Sequence, residues 1–158
     1  MKIAGHESSD VKQKQQKAAV TAMDVNADHQ SIVVNASAAD VYSRYLKFEE
    51  LPRFIPSVTK VEKISDTCFS CTSTTNGEEV TSNVDIIMRV PERRVAWHAN
   101  SKSFPLGVTS FDPLPGGATR VTVKVRSIIE PVLLTRALRD CLRNFKQHVE
   151  RSVSRKQK

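Results

Sequence analysis

Residues 131–153 read PVLLTRALRDCLRNFKQHVERSV, and this stretch decides the fold. At roughly 100° per residue, Leu134, Leu138, Cys141, Leu142, Phe145, Val149 and Val153 fall in a stripe about 120° wide, which predicts an amphipathic helix from Pro131 to Val153. Pro131 suits the first turn, where a missing N–H costs little. The opposite face carries Arg136, Arg139, Arg143, Lys146 and Glu150, so one side is expected against a core and the other in water. One stripe cannot bury itself. The preceding chain must supply the surface it lies on.

That surface reads as a meander. Val58–Ile64, Thr67–Ser73, Val80–Val90, Arg94–Asn100, Gly107–Leu114 and Thr119–Ile129 have strand composition, separated by turn chemistry at Ser65-Asp66, Asn76-Gly77, Pro91-Glu92-Arg93 and Pro115-Gly116-Gly117. Alternation is clearest in the last, with Val121, Val123 and Val125 on one face and Thr122, Lys124 and Arg126 on the other. Upstream, Ser31–Asn35 forms a further β-rich run. Ser37 can cap a short helix whose Val41, Tyr45 and Leu46 face inward. Two prolines break the next segment, Phe48–Pro56, into a bent connector dense in Phe48, Leu51, Phe54 and Ile55. The predicted fold class is α+β: seven curved antiparallel strands wrapped around the C-terminal helix, with two short helices after the first strand.

Composition sets the bounds. With 158 residues, 39% hydrophobic and 26% charged, the chain suits one folded domain. It divides into a polar leader (1–29), expected to be poorly ordered, a domain (30–153) and a basic tail (154–158). No run is long enough to span a membrane, the start lacks an apolar targeting core, and three cysteines form no disulfide framework. Cytoplasmic residence is the expectation. Cys68 and Cys71 lie three apart on a strand and so point to opposite faces, which rules against chelation of one ion. From Leu134 onward there are eight basic residues and two acidic, so most of the net +7 sits on the last helix and tail. A solvated helix face accounts for this charge. The competing reading is peripheral membrane or ribonucleoprotein contact through Arg136, Arg139, Arg143 and Lys146, without specific DNA readout.

Four local segments carry a resemblance. They are Val41-Tyr42 leading into Phe48-Glu49-Glu50-Leu51-Pro52-Arg53-Phe54-Ile55-Pro56-Ser57-Val58, then Pro91-Glu92-Arg93-Arg94-Val95-Ala96-Trp97, Gly107-Val108-Thr109-Ser110-Phe111-Asp112-Pro113, and Gly117-Ala118-Thr119-Arg120-Val121-Thr122-Val123. In this order, with the long helix last, the chain resembles the helix-grip fold of the START-like superfamily (SRPBCC). Its segments look like the polyketide cyclase/dehydrase branch, related to coenzyme Q-binding proteins. The resemblance covers about residues 30–153. It implies a hydrophobic cavity between sheet and helix, gated by the two short helices. Strand parity and stripe position nominate Phe54, Trp97, Phe111, Leu138, Leu142 and Phe145 as its lining, with ordinary core packing as the competing role. Phe104, in the Ser103–Leu106 loop, is the candidate lid residue.

Catalytic candidates are few. His98 points outward if its neighbour Trp97 points inward, and His148, at the stripe's edge, reads as a half-buried structural histidine. Parity sets Asp85 and Arg126 on the face away from the nearest valines, and Arg44 is ambiguous. There is no Ser-His-Asp or Cys-His order, paired carboxylate motif, glycine-rich phosphate loop or metal-spaced histidine cluster, so neither catalytic residues, a metal nor a cofactor is predicted. The leading reading is therefore a non-catalytic binder or carrier of a lipophilic small molecule, such as a lipid, quinone or polyketide-like ring. A polyketide cyclase or dehydratase is the alternative, and an interaction module using the basic helix face is the third.

Overall fold

The computed structural model describes residues 26–75, 77–101 and 105–157. The leader through residue 25 and the candidate lid residue Phe104 lie outside the described residues.

Strand β1 (Asn26–Val34) is followed by helix α1 (Ala38–Tyr45) and a 3-10 helix (Phe48–Arg53). The meander then runs through β2 (Val58–Lys63), β3 (Cys68–Thr75), β4 (Glu78–Val90), β5 (Arg94–Ala99), β6 (Leu106–Pro113) and β7 (Thr119–Ser127), and ends in helix α2 (Pro131–Gln157). All pairs are antiparallel, in the order β1-β7-β6-β5-β4-β3-β2, so the first strand returns to pair with the last.

Local chemistry sets the element ends. Ser37 caps α1, its Oγ accepting from the Asp40 amide at 3.2 Å. The Glu130 carboxylate accepts from the amides of Val132 and Leu133, both at 3.2 Å, which satisfies the first turn of α2 beside Pro131. The β6–β7 turn needs positive φ at two successive positions, 88° and 85°, and Gly116 and Gly117 supply them. A register shift between Ile86 and Met88 in β4 and another between Val58 and Lys60 in β2 bend the sheet.

Two boundaries differ from the sequence expectation. The first strand begins at Asn26, ahead of Ser31, and its inward residues there are polar. Asn26 Nδ2 donates to the Ile129 carbonyl at 2.9 Å and Thr135 Oγ1 to Asp28 at 2.9 Å. The Ile129 corner and helix α2 meet these residues with hydrogen bonds, so no hydrophobic alternation marks the strand. The final helix also runs past Val153 to Gln157, so the described part of the basic tail is helical.

The basic face of α2 is not simply wet. Lys146 and Glu150 are only 28% and 27% exposed, because the helix runs beside the outer edge of β1. Lys146 Nζ donates to the Val33 carbonyl at 2.8 Å, and Glu150 accepts from the Asn35 amide at 3.0 Å. The edge of the sheet is thereby capped by side chains. Arg139 Nε reaches Gln30 Oε1 at 3.3 Å, Arg143 pairs with Asp140, and Arg136 is exposed. Three of the four cations are thus held by the chain itself, and contact with a membrane or ribonucleoprotein through this row has no support.

Candidate functional site

The concave face of the sheet is built by register. Val95, Trp97 and Ala99 of β5, Gly107, Thr109 and Phe111 of β6, and Val121, Val123 and Val125 of β7 share it, and His98 is exposed on the other side. The core above this face is divided. The larger cluster holds Phe48, Phe54, Phe69, Phe111, Val121, Leu142, Phe145 and Val149; the smaller holds Val125, Leu134 and Leu138. Trp97 and Val123 touch both clusters, and both remain partly exposed although they lie on inner strands. The boundary between the two clusters, a seam in the packing, therefore falls at Trp97 and Val123, which bridge it.

Of the residues nominated from sequence, Phe54, Phe111, Leu142 and Phe145 come together in the larger cluster, Leu138 belongs to the smaller, and Trp97 sits on the seam. Rings fill the larger cluster edge to face: Tyr45 lies 5.4 Å from Phe111 and 5.9 Å from Phe145, and Phe54 lies 5.4 Å from Phe145. Trp97 packs closely against its cross-strand partner Gly107. A Cβ on that glycine would overlap the six-membered ring, with even Cη2 only 2.9 Å away. Beyond Trp97 the same face continues along β3 and β4, where Cys71, Ser82 and Val84 are partly exposed and Val80 is 51% exposed.

Two polar groups in this region escape a sequence reading. The first is Tyr45, whose hydroxyl meets Thr109 Oγ1 at 2.8 Å. Burial pushes its pKa up, against the opposing influence of Thr109 and the Trp97 side chain, so it stays a neutral phenol. Inward placement of Tyr45 is legible from helix periodicity, and Thr109 from its alternation with Gly107 and Phe111, but their meeting across 64 residues is not.

The second group ties the 3-10 helix down. Glu50 accepts from Arg44 Nη1 at 2.9 Å and pairs with His148 Nε2 at 3.0 Å, and Asn144 Nδ2 donates to the Phe54 carbonyl at 3.1 Å. Burial alone would raise the Glu50 pKa; hydrogen bonds and charge from Arg44 and His148 outweigh it and hold the carboxyl below its ordinary 4.5. Because the folded value is depressed, this stabilisation is present above the ordinary pKa and is lost as pH falls through the folded value. The urea midpoint should therefore drop as the pH falls below the ordinary carboxyl value of 4.5. Glu50→Gln should flatten part of that slope, the remainder coming from Asp28 and Glu150, whose pKa values are also lowered. An unchanged slope in the variant would show that the latch does not couple to folding.

The thiols offer no nucleophile at neutral pH: burial raises Cys71 and takes Cys141 to about 11, and the neighbouring Asp85 raises Cys68. A small cleft between α1 and the end of α2, walled by Asp40, Arg44, Lys47, Ser152 and Val153, does not include Trp97.

A curved antiparallel sheet gripping a C-terminal helix over an aromatic interior is the START-like helix-grip architecture. Solved structures share it. A START superfamily protein from Mycobacterium smegmatis is 14% identical with a TM-score of 0.69, covering 79% of this chain and 97% of its own. The ZhuI aromatase/cyclase from Streptomyces sp. R1128 is 15% identical with a TM-score of 0.67, covering 82% and 96%. An uncharacterized 17.2 kDa protein from the melC2–rnhH intergenic region of Streptomyces lincolnensis is 26% identical over 131 residues, 77% of this chain and 87% of that one. The family model for polyketide cyclase / dehydrase and lipid transport matches residues 29–150, and the chain belongs to that family. No helix among the described residues is long and apolar enough to cross a membrane.

Proposed function

We propose that the chain binds and carries a lipophilic small molecule, a lipid, quinone or polyketide-like ring, at the seam between the two halves of its core. The observation that carries this reading is Trp97: a large aromatic on an inner strand, packed closely against a glycine, touching both clusters and still partly exposed. A ligand entering over Trp97 would unite the two clusters and remove that apolar surface from water. Phe54, Phe111, Leu142 and Phe145 form one wall and Leu138 the other, while the 3-10 helix latched by Glu50 and Asn144 is the element that swings to widen the seam. Phe104 is proposed as a lid over the mouth. The cyclase or dehydratase alternative draws on the description of the family and on two aromatase/cyclase neighbours, but it would require a proton donor and acceptor at the seam, where the Tyr45 phenol titrates above neutrality.

Trp97 is the sole tryptophan, so its fluorescence reports on the site directly. Titration with lysophosphatidylcholine, a short-chain benzoquinone and the anthraquinone emodin, with native mass spectrometry for stoichiometry, is expected to give one saturable 1:1 ligand. Losing about 60 Å² of apolar contact in Trp97→Ala corresponds to about 1.5 kcal/mol, so affinity measured by calorimetry should fall roughly tenfold. No saturable binding of any of the three would overturn the reading.

A further inference from the structure

We propose that the hydroxyls of Tyr45 and Thr109 form the polar anchor of the seam, selecting neutral lipophiles that present a carbonyl oxygen to it. The inference rests on the seam being a binding site and goes further, since it names the chemistry of the ligand end that enters deepest.

The placement is unusual for a core. Thr109 is fully buried on the concave face of β6, one alternate position from Gly107 and one from Phe111. Its neighbour Tyr45 approaches from α1 between the rings of Phe48, Phe111 and Phe145. A Thr-to-Tyr hydrogen bond in an otherwise aromatic cluster adds little net stability over an apolar pair of the same shape. It does put two reorientable hydroxyls next to Trp97, beside the one concave position, Gly107, that carries no side chain.

The hydrogen-bond inventory shows how the pair would accept a ligand. Each hydroxyl has one proton and two lone pairs. As the pair stands, one hydroxyl donates to the other. When a carbonyl arrives, Tyr45 turns its proton to the ligand oxygen, and Thr109 rotates to donate to the Tyr45 oxygen, so no polar group is stranded. A carboxylate would bring a charge to two neutral hydroxyls in an aromatic setting, a costly desolvation. The Tyr45 phenol, whose pKa is raised, stays a donor throughout the neutral range.

The test compares 1-acetonaphthone with 1-ethylnaphthalene, nearly the same shape with and without the oxygen, by calorimetry on the full chain. Ethylnaphthalene is the more hydrophobic, so area alone favours it. With the anchor, the ketone should bind roughly tenfold more tightly. The variant Tyr45→Phe with Thr109→Val removes both hydroxyls together, so neither is left without the other, at the loss of the Trp97 hydrogen bond to Tyr45, whereas a single change would also bury an orphan hydroxyl. In it the two probes should bind alike, each close to the wild-type affinity for ethylnaphthalene. A ketone preference that survives in the double variant would overturn the anchor, because the oxygen would be held elsewhere. Equal affinities in the wild type would also overturn it while leaving the binding site standing. Binding of neither probe, together with failure of the three ligands above, would overturn the site itself and the anchor with it.

Discussion

Phe111→Ala is expected to lower the free energy of unfolding by about 3–5 kcal/mol, the range for deleting a fully buried phenylalanine. Phe111 is 0% exposed on the inner strand β6, and its ring meets Tyr42 edge-on at 5.6 Å and Tyr45 at 5.4 Å. Those neighbours belong to α1, whereas Phe111 belongs to the sheet, so the ring joins the Tyr45–Thr109 hydrogen bond in holding the short helix to the strands. Alanine would leave a cavity between two elements that cannot close without moving α1 as a body. Against a total stability of about 5–15 kcal/mol for a typical domain, such a loss is a large share. Urea denaturation followed by circular dichroism checks it, with the midpoint falling and the slope unchanged. A loss below about 1 kcal/mol would mean that the aromatic cluster collapses into the gap and that Phe111 is not its centre.

Gly107→Ala is expected to cost about 1–3 kcal/mol and to move the only tryptophan. Since the indole occupies the space an added methyl would need, either the ring tilts up into the seam or β5 and β6 separate. The first outcome predicts a shift in the emission spectrum and weakened uptake of every probe that enters over Trp97. Removing the indole should relieve the clash. In a Trp97→Ala background the glycine substitution is expected to be close to neutral, so the two changes should be strongly non-additive in a double-mutant cycle. Simple addition of the two penalties would show that the close approach is not the source of the effect.

Much of this architecture was legible from residue patterns because each element obeys its own period. The α2 stripe, the valine alternation of β7, the Ser37 cap and the opposed orientations of Trp97 and His98 all follow from local spacing. What was hidden is pairwise and distant. Residues Asn26 and Asp28 look like leader because their partners, the Ile129 carbonyl and Thr135, lie on a helix corner more than a hundred residues away. Lys146 looks like a solvated charge because the acceptor it caps is a backbone carbonyl, which has no sequence signature. The Glu50–His148 and Tyr45–Thr109 pairs were invisible for the same reason. The nominated aromatics could be placed inward by parity, yet parity does not tell a packed ring from one at a seam; only the partial exposure of Trp97 makes that distinction.

The return of the first strand to the last has a kinetic consequence. Strands β2 to β6 each pair with a sequence neighbour and can zip up hairpin by hairpin. β1 must instead wait for β7, closing the long loop between Val34 and Thr119, and only then can α2 settle along the new edge. Pulse-labelled amides of β1 should therefore become protected after those of β3 and β4. On the ribosome, the earliest strand to emerge would be the last to find its partner.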